Sequence, residues 1–120
     1  AAHDADAIRR HVARLFGHYS SGGQGEARFF LRNLDLVRFV KDAAEVSPRA
    51  HVLHGCVDSV VRDVERVFDE TLDLQIDLGS RRIRYGLTLE YFRVFLSKAA
   101  FALGWSMVSL LFALLERFDM

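Results

Sequence analysis

Apolar residues recur along this chain at the period of an α-helix, and breaker residues divide the pattern into segments. Ile8, Val12, Leu15, Phe16 and Tyr19 stand at i, i+4, i+7, i+8 and i+11, one face of a helix predicted over residues 4–19. Asp4 and Asp6 fall in its first turn, where the helix dipole favours acids. Ser20-Ser21-Gly22-Gly23-Gln24-Gly25 then reads as a loop. Asn33 is a suitable N-cap for a second helix over about 34–45, with Leu36, Phe39, Val40 and Ala43 on one stripe. Ser47-Pro48-Arg49 breaks that helix, and residues 50–56 have room for a short helical turn. Asp58 or Ser59 caps a third helix ending near Leu72, which points Val60, Val64, Val67 and Phe68 inward. Residues 73–86 are expected as a loop, with an extended piece in the alternating Arg81-Arg82-Ile83-Arg84-Tyr85. Thr88 caps a fourth helix whose buried stripe is Leu89, Phe92, Phe95, Leu96 and Ala99, and Glu90 in its first turn suits the dipole.

The last segment lacks this two-faced pattern. Residues 99–115 are 17 positions without a charge. A bilayer crossing needs about 20 apolar residues, and Gly104, Ser106 and Ser109 interrupt this stretch. No membrane span is expected. The prediction is a bend near Gly104 and a fifth helix to about Phe118, with Ser106, Ser109, Glu116 and Arg117 facing water. Such a helix is either central to the core or covered by a partner.

Two halves of the chain repeat a design. Phe16-Gly17-His18-Tyr19 precedes a loop, and Leu31-Arg32-Asn33-Leu34-Asp35-Leu36 opens the next helix. Phe68-Asp69-Glu70 precedes a second loop, and Leu87-Thr88-Leu89-Glu90-Tyr91-Phe92 opens the helix after it. In each half an aliphatic residue late in the loop is followed five residues on by an apolar one. A paired EF-hand is built this way, with Leu31 and Leu87 joining the loops through a short antiparallel bridge. The fold class expected is all-α: an EF-hand-like pair of helix–loop–helix units plus an additional apolar C-terminal helix, in a single domain over residues 1–120.

Shorter motifs carry a family resemblance. Phe39-Val40-Lys41-Asp42-Ala43, Val61-Arg62-Asp63-Val64-Glu65-Arg66-Val67-Phe68, and Leu87-Thr88-Leu89-Glu90-Tyr91-Phe92 with Phe95-Leu96 resemble the tubulin polymerization-promoting protein family over about residues 8–100. That resemblance implies a degenerate EF-hand core and a tubulin or microtubule partner. The long connection over 71–86, the helix over 99–120 and the absence of a basic Gly-rich tail depart from the family pattern.

The calcium reading of the two loops fails on residue type. Counting back from Leu31 as position eight places Gln24, Glu26, Arg28 and Asp35 at ligand positions one, three, five and twelve, and Phe29 where glycine makes the turn. In the second loop the bidentate position falls on Tyr91, and Asp69, Asp73 and Asp77 are spread over too long a segment. Neither calcium nor another cofactor is expected.

Composition narrows the remaining choices. Sixteen basic residues balance sixteen acidic ones, so no net field draws the chain to nucleic acid or to an anionic membrane. One cysteine, Cys56, has no internal disulfide partner, which is compatible with a reducing compartment. The acidic start is unlike a secretory signal. The missing initiator Met, and an end at Phe118-Asp119-Met120 without a turn signal, suggest a piece of a longer protein.

Candidate chemistry is sparse. His51, His54 and Cys56 offer three zinc-type ligands without an evident fourth, and surface or capping histidines are the favoured account of them. Cys56 as a nucleophile lacks a visible oxyanion site, and no carboxylate pair argues for hydrolysis. No catalytic residue is expected. Arg81, Arg82, Arg84 and Tyr85 could grip phosphate or a partner's acidic segment, or form a solvated loop. Phe29 and Phe30 belong to the core or, if outside, to an interface, and Trp105 is a further candidate contact. The expectation is a calcium-independent protein-binding module of a cytoskeletal or ciliary protein, cytoplasmic and microtubule-associated. The alternatives are a homo-oligomer assembled through the apolar C-terminal helix, and a small metal protein or enzyme around His51, His54 and Cys56.

Overall fold

The structure is a computed structural model that describes residues 5–21, 28–46, 57–79 and 84–118. Helix α1, Ala5–Tyr19, buries the face its spacing predicts, Val12, Leu15, Phe16 and Tyr19. Helix α2 runs Asp35–Val46 and buries Leu36, Phe39, Val40 and Ala43. It opens at Asp35 rather than at Leu34, because the Asp35 carboxylate is drawn inward by donors from the preceding loop. Leu34 is left exposed in the turn.

Helix α3 is Val57–Leu78, so the loop expected from residue 73 onward is helical as far as Leu78. Phe68, Thr71 and Gln75 are all fully buried at i, i+3 and i+7, and the inward stripe continues through polar residues. Thr71 hides its hydroxyl by donating to the Val67 carbonyl at 2.7 Å. A hydrophobicity pattern stops at Leu72; the burial pattern does not.

Two short strands, β1 (Phe30–Leu31) and β2 (Gly86–Leu87), form the expected antiparallel bridge. Phe30 faces Leu87 and Leu31 faces Gly86. A Cβ at Gly86 would lie 2.9 Å from the Phe30 carbonyl oxygen and 3.0 Å from Leu31 Cδ2. Only glycine lets the strands approach this closely.

Helix α4, Leu89–Ala102, buries Phe92, Phe95, Leu96, Ala99 and Ala100. Leu89, expected on that stripe, is 41% exposed at the first helical position. The α4 end closes with a pair of carbonyl-capping bonds: Trp105 N–H donates to Ala100 O at 2.8 Å and Gly104 N–H to Phe101 O at 3.0 Å. Gly104 takes φ 79°, the left-handed conformation this closure needs. Helix α5, Met107–Phe118, then leaves at a 100° bend. Ser106 caps it, its hydroxyl accepting the Ser109 N–H at 3.2 Å.

α5 folds back onto α1, α2 and α4. Leu110, Leu111 and Leu114 are wholly buried there, with Leu115 nearly so. Most of the apolar C-terminal stretch is therefore core; Ser106, Ser109 and Glu116 are exposed as predicted, and Arg117, also exposed, turns toward α2. Among the described residues no single helix is long and apolar enough to cross a membrane. The fold is all-α apart from the two-strand bridge.

Phe30 lies at the centre. Its ring stands 4.9 to 5.9 Å, centroid to centroid, from Phe92, Phe95, Phe39 and Phe68. One residue of the bridge thus touches three helices, and aromatic pairs at such spacings add to plain area burial. Around the outside, Tyr19 Oη donates to Asp42 Oδ2 at 2.6 Å. Arg117 reaches Asp42 at 3.4 Å and also pairs with Glu45, which ties α5 to α2.

Candidate functional site

The bridge is held in place by one buried polar side chain from each half of the molecule. In the first half Asp35, fully buried, accepts three hydrogen bonds: the Leu31 N–H at 2.7 Å, the Ser21 N–H at 3.0 Å and the Ser21 hydroxyl at 2.5 Å. These bonds join the end of α1, strand β1 and the start of α2. A buried carboxylate is costly unless bonded, and three converging donors supply that bonding. In the second half Gln75, also fully buried, donates from Nε2 to the Gly86 carbonyl at 2.9 Å. Its Oε1 accepts the Thr88 N–H at 2.9 Å and faces the Thr88 hydroxyl at 3.3 Å. Thr88 occupies the N-cap of α4 as predicted, but its hydroxyl is turned to Gln75 and makes no cap bond.

Residues considered as cation ligands are otherwise engaged or dispersed. The Arg28 guanidinium donates to the Gly17 carbonyl at 3.3 Å, at the negative end of α1. Asp69, Asp73 and Asp77 recur every fourth residue along the exposed side of α3, and Asp69 pairs with Arg32 at 2.9 Å. They do not converge on a loop. Among the described residues no three His, Cys, Asp or Glu side chains come together as a metal-holding set. Gln24, Glu26, His51, His54 and Cys56 lie outside the described residues.

The candidate contact residues separate into different places. Phe30 is fully buried and belongs to the core, because the pleat of the bridge turns it inward. Phe29, its neighbour, is half-buried and meets Tyr85 edge to face, ring centroids 5.3 Å apart. Tyr85 and Arg84 are exposed beside it, so Phe29, Arg84 and Tyr85 share the outer surface of the bridge. Trp105 is half-buried against the core in the α4–α5 turn. The 14-residue α4 lies between it and the bridge, a separation of about 20 Å. Arg81 and Arg82 lie outside the described residues.

Sequence reasoning missed a further surface. Leu34, in the turn before α2, and Val37, three residues on in the helix, are exposed. Val37 borders a shallow groove between α2 and α3, floored by Leu36, Val40 and Val61 and flanked by Arg32 and Glu65. The available signal was that Leu34 and Val37 are apolar yet lie off the α2 core stripe.

Two side chains at the end of α1 are shifted from their ordinary proton affinity. Burial, reinforced by the hydrogen bond to Asp42, pushes the Tyr19 phenol well above its ordinary value of 10.0. Partial burial, with Arg38 nearby, lowers His18, while Asp42 opposes the shift. Comparison with known proteins returns no matching family model, curated protein or solved structure.

Proposed function

We propose that this chain is a calcium-independent, EF-hand-like protein-binding module of a cytoskeletal or ciliary protein, with microtubules as its partner. The observation that carries the reading is the Asp35 carboxylate. Counted from Leu31 as position eight, it falls at the twelfth loop position, where a calcium-binding hand would supply a bidentate ligand. Here its oxygens are taken by Leu31 N–H, Ser21 N–H and the Ser21 hydroxyl. Internal donors do the joining that a divalent cation does elsewhere, and the two helix–loop–helix halves close without one. What such a scaffold presents outward is the Phe29–Tyr85 pair beside the bridge with Arg84 next to Tyr85 in the chain, and Leu34 and Val37 at the start of α2. Binding, not turnover, is the role this surface fits.

Microtubule identity rests on the sequence resemblance, and a cytoplasmic, cytoskeletal or flagellar location goes with it. Co-sedimentation with polymerised tubulin tests it directly. The expected result is saturable binding at micromolar protein, unchanged by calcium or chelator and weakened by Tyr85→Ala with Arg84→Ala. No pelleting at that concentration would remove the microtubule assignment. A calcium-dependent rise in melting temperature would remove the calcium-independent one.

A further inference from the structure

Phe101 is 86% exposed, more than any other large apolar side chain among the described residues. Its neighbours in the last turns of α4, Ala100 and Leu103, are completely buried. It therefore stands on the outer side of an otherwise well-packed helix, where no described residue covers it. Phe101 borders an open groove between α3 and α4. Val67 and Ala102 line that groove as well, and Arg66, Glu70 and Lys98 supply charges of both signs. Lys98 stands one turn before Phe101 on α4, while Arg66 spans Asp63 at 3.4 Å and Glu70 at 3.9 Å on α3.

We propose that this patch is a self-association surface on which two copies of the chain pair about a two-fold axis. Phe101 of each copy enters the α3–α4 groove of the other, and Lys98 of each copy faces Glu70 of the other. The occupant is a second copy because the patch carries its own complement. An exposed apolar side chain adjoins a groove lined mainly by polar residues, to which Val67 and Ala102 contribute apolar surface, and a cation on α4 lines it together with a carboxylate on α3. A two-fold axis turns such neighbours into reciprocal contacts, residue i meeting j while j meets i. The surface expected in the C-terminal stretch is thereby narrowed: most of α5 is occupied inside its own chain, and Phe101, far more than Phe112, is what the stretch leaves outside. Two half-helix faces fall short of the roughly 800 Å² per partner of a stable complex, so the dimer is weak, with a dissociation constant on the order of 100 μM. This inference goes beyond the microtubule reading and needs only the chain itself, so either can fail while the other stands.

Sedimentation velocity on the whole chain, from about 10 μM to about 1 mM to bracket that constant, tests it. The weight-average mass should rise in one step toward twice the monomer. Phe101→Ser should weaken association at least about tenfold, while its circular dichroism keeps the helical signal because the side chain is outside the core. Lys98→Glu alone and Glu70→Lys alone should each weaken self-association by placing like charges opposite each other. An equimolar mixture of those two variants should restore it, since both charge pairs re-form across the axis. A monomer mass throughout, association unchanged in Phe101→Ser, a mixture as weak as its components, or growth past twice the monomer would each overturn the proposal.

Discussion

The two halves of this protein solve one mechanical problem with opposite chemistry. Each must fasten a strand of the bridge to a helix, and each uses one fully buried polar side chain to do so. Asp35 sits after its strand and meets only donors, two backbone N–H groups and a hydroxyl. Gln75 sits before its strand and meets a carbonyl on one side and an N–H on the other. A carboxylate, which only accepts, suits the first setting, and an amide, which both donates and accepts, suits the second. The polarity of the surrounding backbone selects the side chain.

The sharpest way to break this comparison is to remove the fastenings. Asp35→Ala leaves the Leu31 and Ser21 donors without their acceptor and is expected to cost about 3 kcal/mol of stability, read by urea denaturation. Asp35→Asn should lose nearly as much, because one of its polar atoms becomes a donor aimed at donors. Gln75→Ala is expected to cost about 2 kcal/mol. Gln75→Glu sharpens the contrast. At neutral pH it points an anion at the Gly86 carbonyl, whereas below about pH 4 a protonated carboxyl can donate there again. Its deficit relative to the native chain should therefore shrink on acidification, while that of Asp35→Asn should not.

Smaller effects belong to the outer ties. The Tyr19 phenol is held protonated in the fold by burial and by its bond to Asp42. Its folded-state value lies above the ordinary 10.0, so above that pH the unfolded chain loses a proton that the folded chain keeps. Stability is fully present below pH 10 and falls as pH rises beyond it. Tyr19→Phe should cost about 1 kcal/mol at neutral pH and flatten part of the alkaline slope, seen in thermal melts at pH 8 and above. His18 works in the other direction. Its value is lowered in the fold, so its contribution is present above the ordinary 6.5 and is lost as pH falls below it. Because the side chain is largely exposed, the effect is slight. Arg117→Ala, which breaks pairs with Asp42 and Glu45 that are only partly shielded from water, should change stability by less than about 1 kcal/mol.

Much of the architecture was legible in the residues. The i, i+4, i+7 spacing placed α1, α2, α3 as far as Leu72 and most of α4, and glycine at 104 marked the bend before α5. The repeat around Leu31 and Leu87 anticipated the bridge. What escaped the pattern was the end of α3 beyond Leu72. Thr71 and Gln75 take buried positions that a hydrophobicity count scores as solvent-facing. Asp35 escaped in the same way, since a carboxylate on a helix start is ordinarily a solvated cap.

By itself, then, the order of amino acids determined which stretches coil and which face of each is apolar, because those depend on neighbours within a few residues. Only the tertiary structure decided that α5 lies against α1, α2 and α4, that Phe30 points inward while Phe29 does not, and that Phe101 is left outside. It also assigned Asp35 and Gln75 their roles. A polar residue's role depends on which donors and acceptors the fold brings within hydrogen-bond reach, and here those come from segments 11 to 14 residues away as well as from nearby turns.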